Sequence, residues 1–114
     1  MKFLSIWKIF FWGGFDGTDE VPYVYIYDFR NDCMNRKTDM IVPRESHTFE
    51  IENNIVYVFG GYTENTETAS CEKYDVKYDS WHQIENLPAA QFTLSSTKHK
   101  NSIYIVNEED NCMF

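Results

Sequence analysis

The feature that most constrains this chain is a strand phrase that returns at a fixed interval. Ile55-Val56-Tyr57-Val58-Phe59 is a run of β-branched and aromatic residues, stopped by Gly60-Gly61 and followed by Tyr62. Such a run fits a strand buried on both faces. Paired glycines suit a bulge or turn against which another backbone packs closely. Phe11-Trp12-Gly13-Gly14-Phe15 carries the same phrase as Val58-Phe59-Gly60-Gly61-Tyr62, 47 positions earlier. Tyr27-Asp28 stands 47 positions before Tyr74-Asp75, and Phe10, Tyr57 and Tyr104 keep the same spacing. Ile103-Tyr104-Ile105-Val106 is therefore a third copy, with Asn107 and Glu108 where the glycines stood. Self-similarity at this period marks a repeat architecture.

Each period divides into short strands. In the first, strands are expected at about 8–12 and 23–27, with only a weak one over 33–38. Ser46–Glu52 and Ile55–Phe59 open the second, joined by a tight turn at Asn53-Asn54. Ala69–Val76 and Ser80–Ile84 follow, and Leu87-Pro88 ends the unit. Another unit starts near Phe92. No stretch shows a helical period. Four short antiparallel strands in 40–50 residues make one blade of a β-propeller.

The residues carry a family resemblance at this point. Ile55 to Gly61, then Glu72-Lys73-Tyr74-Asp75, Trp81 and Leu87-Pro88, resemble a kelch repeat. The resemblance implies an all-β fold, an incomplete kelch-type β-propeller of four-stranded antiparallel blades. It divides the chain into a partial, degenerate repeat at 1–43, a complete blade at 44–88 and the start of a truncated repeat at 89–114. The first copy keeps Gly13-Gly14 and Tyr27-Asp28 but has Met34 where the second has Trp81. In such a repeat the marked residues Gly13, Gly14, Tyr27, Gly60, Gly61, Tyr74, Trp81 and Pro88 are structural. The glycines let strands approach, and Tyr74 and Trp81 pack between blades.

Composition narrows the function. With 18% aromatic residues and 43% hydrophobic, the chain is no disordered tail. A formal net charge of -8 makes it a poor ligand for a phosphate backbone, which needs clustered Lys and Arg. No nucleic-acid or membrane partner is expected. Lys8 interrupts the apolar start Met1–Trp7, and Gly13-Gly14-Phe15-Asp16-Gly17 is not a leader cleavage site. Cys33, Cys71 and Cys112 are odd in number and widely spaced, which fits reduced thiols in the cytoplasm. His47, His82 and His99 stand apart from one another and from the cysteines. No cofactor, metal site or catalytic constellation is expected.

Loops are the better functional candidates. In a propeller blade the loop between the second and third strands emerges on the same face as the connection into the next blade. That face is expected to hold a partner-binding surface built from Asp16, Asp19 and Glu20, from Arg44 and Gln91, and from Tyr62, Glu64, Asn65 and Glu67. Acidic residues beside exposed aromatics suit a basic peptide segment. The resemblance implies a non-enzymatic interaction module, used to recruit substrates to a cullin-dependent ubiquitin ligase or as a scaffold. The alternatives are a sugar-oxidising or sugar-binding propeller fragment and a truncated product without retained function. Roughly two and a half repeats are too few to close a ring of four to eight blades. The chain is thus expected to be a fragment of a longer propeller, a truncated product, or a unit that self-associates through open blade faces.

Overall fold

The computed structural model describes residues 2–5, 8–90 and 94–107. All regular structure there is β. Four strands form a first sheet: β1 (Lys2–Ser5), β2 (Lys8–Trp12), β3 (Val24–Asp28) and β4 (Cys33–Lys37), in that spatial order. A second sheet repeats the plan with β5 (Thr48–Glu52), β6 (Ile55–Phe59), β9 (Cys71–Asp75) and β10 (Ser80–Ile84). Between β6 and β9 sits a small hairpin of β7 (Tyr62–Thr63) and β8 (Thr66–Glu67). A third unit pairs β11 (Leu94–His99) with β12 (Ser102–Asn107). Every pairing is antiparallel between neighbours in sequence, apart from the excursion through β7 and β8. These are blades of a partial β-propeller.

The 47-residue interval reappears bond by bond. The Gly13 amide donates to the Tyr23 carbonyl at 3.0 Å, and the Gly60 amide to the Ser70 carbonyl at 3.0 Å. Val21 donates to Gly14 as Thr68 donates to Gly61, and Met40 donates to Pro22 as Leu87 donates to Ala69. The glycine pairs share their backbone, with φ of 64° and 111° at Gly13-Gly14 and 61° and 105° at Gly60-Gly61. Asp28 and Asp75 each cap a turn by accepting an amide two residues on. The Tyr27 hydroxyl donates to Asp32 and the Tyr74 hydroxyl to Asp79, each aspartate in the left-handed region.

The first sheet has more strands than its sequence announces. β4 pairs with β3 over its whole length, from Val24↔Lys37 to Asp28↔Cys33. Its sequence, Cys-Met-Asn-Arg-Lys, lacks β-branched residues because it is an edge strand with little to bury. β1 completes the sheet on the other side. Four residues beside a charged position give no periodic signal of a strand.

The core lies between sheets, not within one. Phe10, Trp12, Val24 and Ile26 of the first sheet pack with Val56, Val58, Tyr74 and Trp81 of the second. Phe10 lies 5.4 Å from Tyr74 between ring centroids, and Tyr74 lies 4.9 Å from Trp81. Trp81 also donates its indole N–H to the Thr38 carbonyl at 2.9 Å. Tyr74 and Trp81 thus lie between the first and second sheets. Phe59, Cys71, Leu87 and Ile105 make a second, smaller cluster between the second sheet and the third unit. Leu87 is buried there, while Pro88 beside it is exposed and ends the segment.

Candidate interaction surface

The segment joining the two sheets, residues 38–47, organises the candidate surface. It runs between the two glycine pairs. The Gly14 amide donates to the Arg44 carbonyl at 2.9 Å. One residue on, Glu45 and Tyr62 exchange both backbone bonds, at 3.1 and 2.9 Å. A Cβ on Gly13 would meet the Arg44 carbonyl oxygen at 2.7 Å, and one on Gly61 the Glu45 carbonyl oxygen at 2.6 Å. Gly13 and Gly61 therefore make room for this connection. Gly60 serves it differently, by offering its carbonyl to Arg44.

Arg44 is a correction to the sequence expectation. It was expected at the surface, yet it is wholly buried. Its guanidinium donates to the carbonyls of Gly60 at 2.8 Å and Ser70 at 2.6 Å, to the Ser70 hydroxyl at 3.1 Å and to Glu72 at 2.8 Å. Burial pulls its pKa down, and the Glu72 carboxylate opposes that pull. Glu72 is equally buried and also accepts the amides of Ile41 at 2.7 Å and Val42 at 3.0 Å. This pair ties the connection to the second sheet, so Arg44 cannot contact a partner. Glu72 escaped the sequence reading. The signal was present, because strand alternation puts it on the inner face with Tyr74, where a carboxylate needs partners.

Two loops flank the connection. Phe15 to Glu20 closes with a bridge between those two residues, and Tyr62 pairs with Glu67 at the equivalent positions, in the β7–β8 hairpin. Asp16 accepts the amides of Thr18 and Asp19, each at 2.9 Å, and these bonds hold its carboxyl below the usual range. Glu64 and Asn65 turn the second loop with φ of 49° and 63°, the left-handed pair of a type I′ hairpin. Asp16, Asp19, Glu64, Asn65 and Glu67 are exposed, with Phe15 exposed beside them; Glu20, Glu45 and Tyr62 are half-buried. Neither loop contains a Lys or Arg. Gln91 lies outside the described residues.

Other chemistry is sparse. Among the described residues no group of three or more His, Cys, Asp or Glu could hold a metal ion. Cys33 and Cys71 are free thiols, and burial pushes the Cys71 thiol up. No helix among the described residues is long and apolar enough to cross a membrane.

Four-stranded blades with a glycine pair closing the second strand and a Tyr–Trp pair between blades define a kelch-type β-propeller. The Kelch motif family matches residues 43–88, the second sheet with its incoming connection. The chain belongs to the kelch-repeat family and holds part of such a propeller. It is 30% identical to a Kelch-like protein 15 of Gallus gallus over 82 residues, which is 72% of this chain and 17% of that protein. It is 26% identical to an F-box/kelch-repeat protein of Arabidopsis thaliana over 111 residues, 94% of this chain and 29% of the relative. Beta-scruin of Limulus polyphemus is 24% identical over 83 residues, covering 72% of this chain and 9% of the relative. The chain thus spans less than a third of the length of each of these relatives.

Proposed function

We propose that this chain is a non-enzymatic protein-interaction module whose contact surface is the acidic loop end of its blades. The observation that carries the reading is the convergence of three segments. The Phe15–Glu20 loop, Glu45 of the connection and the Tyr62–Glu67 hairpin lie together and bring carboxylates without a Lys or Arg on either loop. Phe15 and Tyr62 add aromatic contact area at low entropic cost. The partner that suits this surface is a basic, extended peptide segment. Within this reading the finer role is substrate recruitment to a cullin-dependent ubiquitin ligase, or scaffolding. The free thiols favour a reducing, cytoplasmic setting. Self-association through open blade faces is the second mode of contact.

Capture of Lys/Arg-rich peptides on an array tests the surface. Replacing Tyr62, Glu64 and Glu67 together by Ala should weaken capture by about tenfold or more, with far-UV circular dichroism unchanged. Equal capture by the triple variant would remove the loop end from consideration. Raised salt should weaken the wild-type signal, because rim charges act through screened fields.

A further inference from the structure

Two polar atoms stand unpaired inside the joint between the first two sheets. The Trp12 indole Nε1 and the His47 Nδ1 are both enclosed, and neither has a hydrogen-bond partner among the described residues. Trp12 is only 8% exposed. Its ring is held by Phe10 at 4.7 Å and, edge to face, by Phe49 at 4.6 Å, which keeps the N–H from solvent. The His47 side chain is confined as well. A Cβ on Gly13 would stand 2.7 Å from its Cε1, and one on Gly61 would stand 3.1 Å from its Cβ. The two rings are neighbours, 5.8 Å apart between centroids and tilted by 49°, yet they make no direct bond. A buried donor or acceptor left unpaired costs stability, so each such atom in a folded chain asks for a partner.

The two atoms are complementary. An indole N–H only donates, and a neutral imidazole keeps one bare nitrogen that accepts. Burial holds His47 neutral, its pKa lowered to about 4. The pair is also peculiar to this joint. At the positions 47 further on, the sequence has Phe59 for Trp12 and Leu94 for His47, neither with a polar atom in its side chain. A donor and an acceptor thus replace an apolar pair together.

We infer that Trp12 and His47 form a binding site for a single buried water. The water accepts from the indole N–H and donates to His47 Nδ1. Its second hydrogen goes to the Arg44 carbonyl, which lies beside the His47 ring: both stand 2.7 Å from the place a Gly13 Cβ would take. That oxygen accepts the Gly14 amide and has a lone pair left. Three bonds are what a buried water ordinarily makes. Water suits the site better than an ion. An anion would meet two acceptors, the bare imidazole nitrogen and the carbonyl. A cation would meet the indole N–H and the nearby Arg44 charge. The site ties the end of β2 to the connection at His47, and so fixes the root of the Phe15–Glu20 loop. It is independent of what that loop binds.

Nuclear magnetic resonance of the isotope-labelled chain tests it. In water-selective rotating-frame spectra the Trp12 indole N–H should show a dipolar cross-peak to water, with the sign that distinguishes contact from chemical exchange. The His47 ring nitrogens should report the tautomer protonated at Nε2, with Nδ1 bare. In His47→Leu the water cross-peak should vanish with circular dichroism unchanged, because the indole alone cannot hold the water. Should that variant fail to fold, the wild-type spectra decide by themselves. A wild-type indole N–H without a water cross-peak would overturn the site. So would scalar coupling straight from that N–H to His47 Nδ1, or a His47 protonated at Nδ1. A cross-peak that persists in His47→Leu would overturn the part given to His47.

Discussion

At the scale of single residues, the buried Arg44–Glu72 pair is the most consequential contact in the chain. Neither group reaches solvent, and together they anchor three points of the connection between sheets. Removing one partner leaves the other charge buried and alone, which costs about 3–5 kcal/mol. Arg44→Met should therefore lower the urea midpoint sharply. Arg44→Met with Glu72→Gln should recover part of the loss, since the amide oxygen still accepts from the connection. His47 supplies a pH dependence. Burial, then the nearby Arg44 charge, lowers its pKa from 6.5 to about 4. Its folded pKa is below its unfolded one, so the unfolded chain binds more protons between these values. Stability contributed by neutral His47 is complete above pH 6.5 and is lost as pH falls towards about 4. The loss is on the order of 3 kcal/mol. Thermal melts at pH 7 and pH 4.5 should show it, and His47→Gln should flatten that part of the profile. An unchanged slope in the variant would assign the pH dependence elsewhere.

At the scale of elements, the two glycine pairs share a conformation but not a neighbourhood. Gly14 and Gly61 have φ of 111° and 105°, so alanine is strained at both. Only Gly61 faces a backbone oxygen, at 2.6 Å from a built Cβ. Gly14→Ala should cost about 1–2 kcal/mol, from backbone strain alone. Gly61→Ala should cost clearly more, because the Glu45–Tyr62 bridge must also shift. Chemical denaturation of the two variants side by side checks the order, and equal losses would refute the role given to the connection. The β7–β8 hairpin belongs to the same end. It has two pairs of residues and an exposed turn, so its amides should exchange with solvent before those of β6 and β9.

At the scale of the whole molecule, stability depends on sheets meeting face to face. One cluster from Phe10 to Trp81 unites the first two sheets, and Tyr74 sits wholly buried within it. Trp81→Ala should cost about 3–5 kcal/mol, from lost area and the cavity left behind. Trp81→Phe should cost less, since it keeps most of the ring and loses chiefly the bond to the Thr38 carbonyl. Both should move the melting of the first and second sheets together, because one core serves both. Two separate transitions in either variant, by calorimetry, would contradict that shared core. Asp79 adds an acid limit to the same joint. Burial raises its pKa, but bonds from the Tyr74 hydroxyl and from Thr38 outweigh it and lower the carboxyl overall. Its folded pKa is depressed, so its contribution is present above the usual carboxylate range and is lost as pH falls through the folded value.

The sequence by itself determined the repeat and the main strands that carry it. Five-residue apolar runs, glycine pairs and Tyr-Asp turns act locally, so a single chain read against itself reveals them. It understated β1 and β4, because edge strands bury too little to need an apolar pattern. It misplaced Arg44, because a loop arginine reads as solvated until its partners are known. Only the tertiary structure brought Glu72 to it, 28 residues away, and turned an expected surface charge into the joint between blades. The same structure distinguished Gly14 from Gly61, which are alike in sequence context and backbone. What separates them is a neighbouring segment, and packing between distant segments is not written in any local pattern.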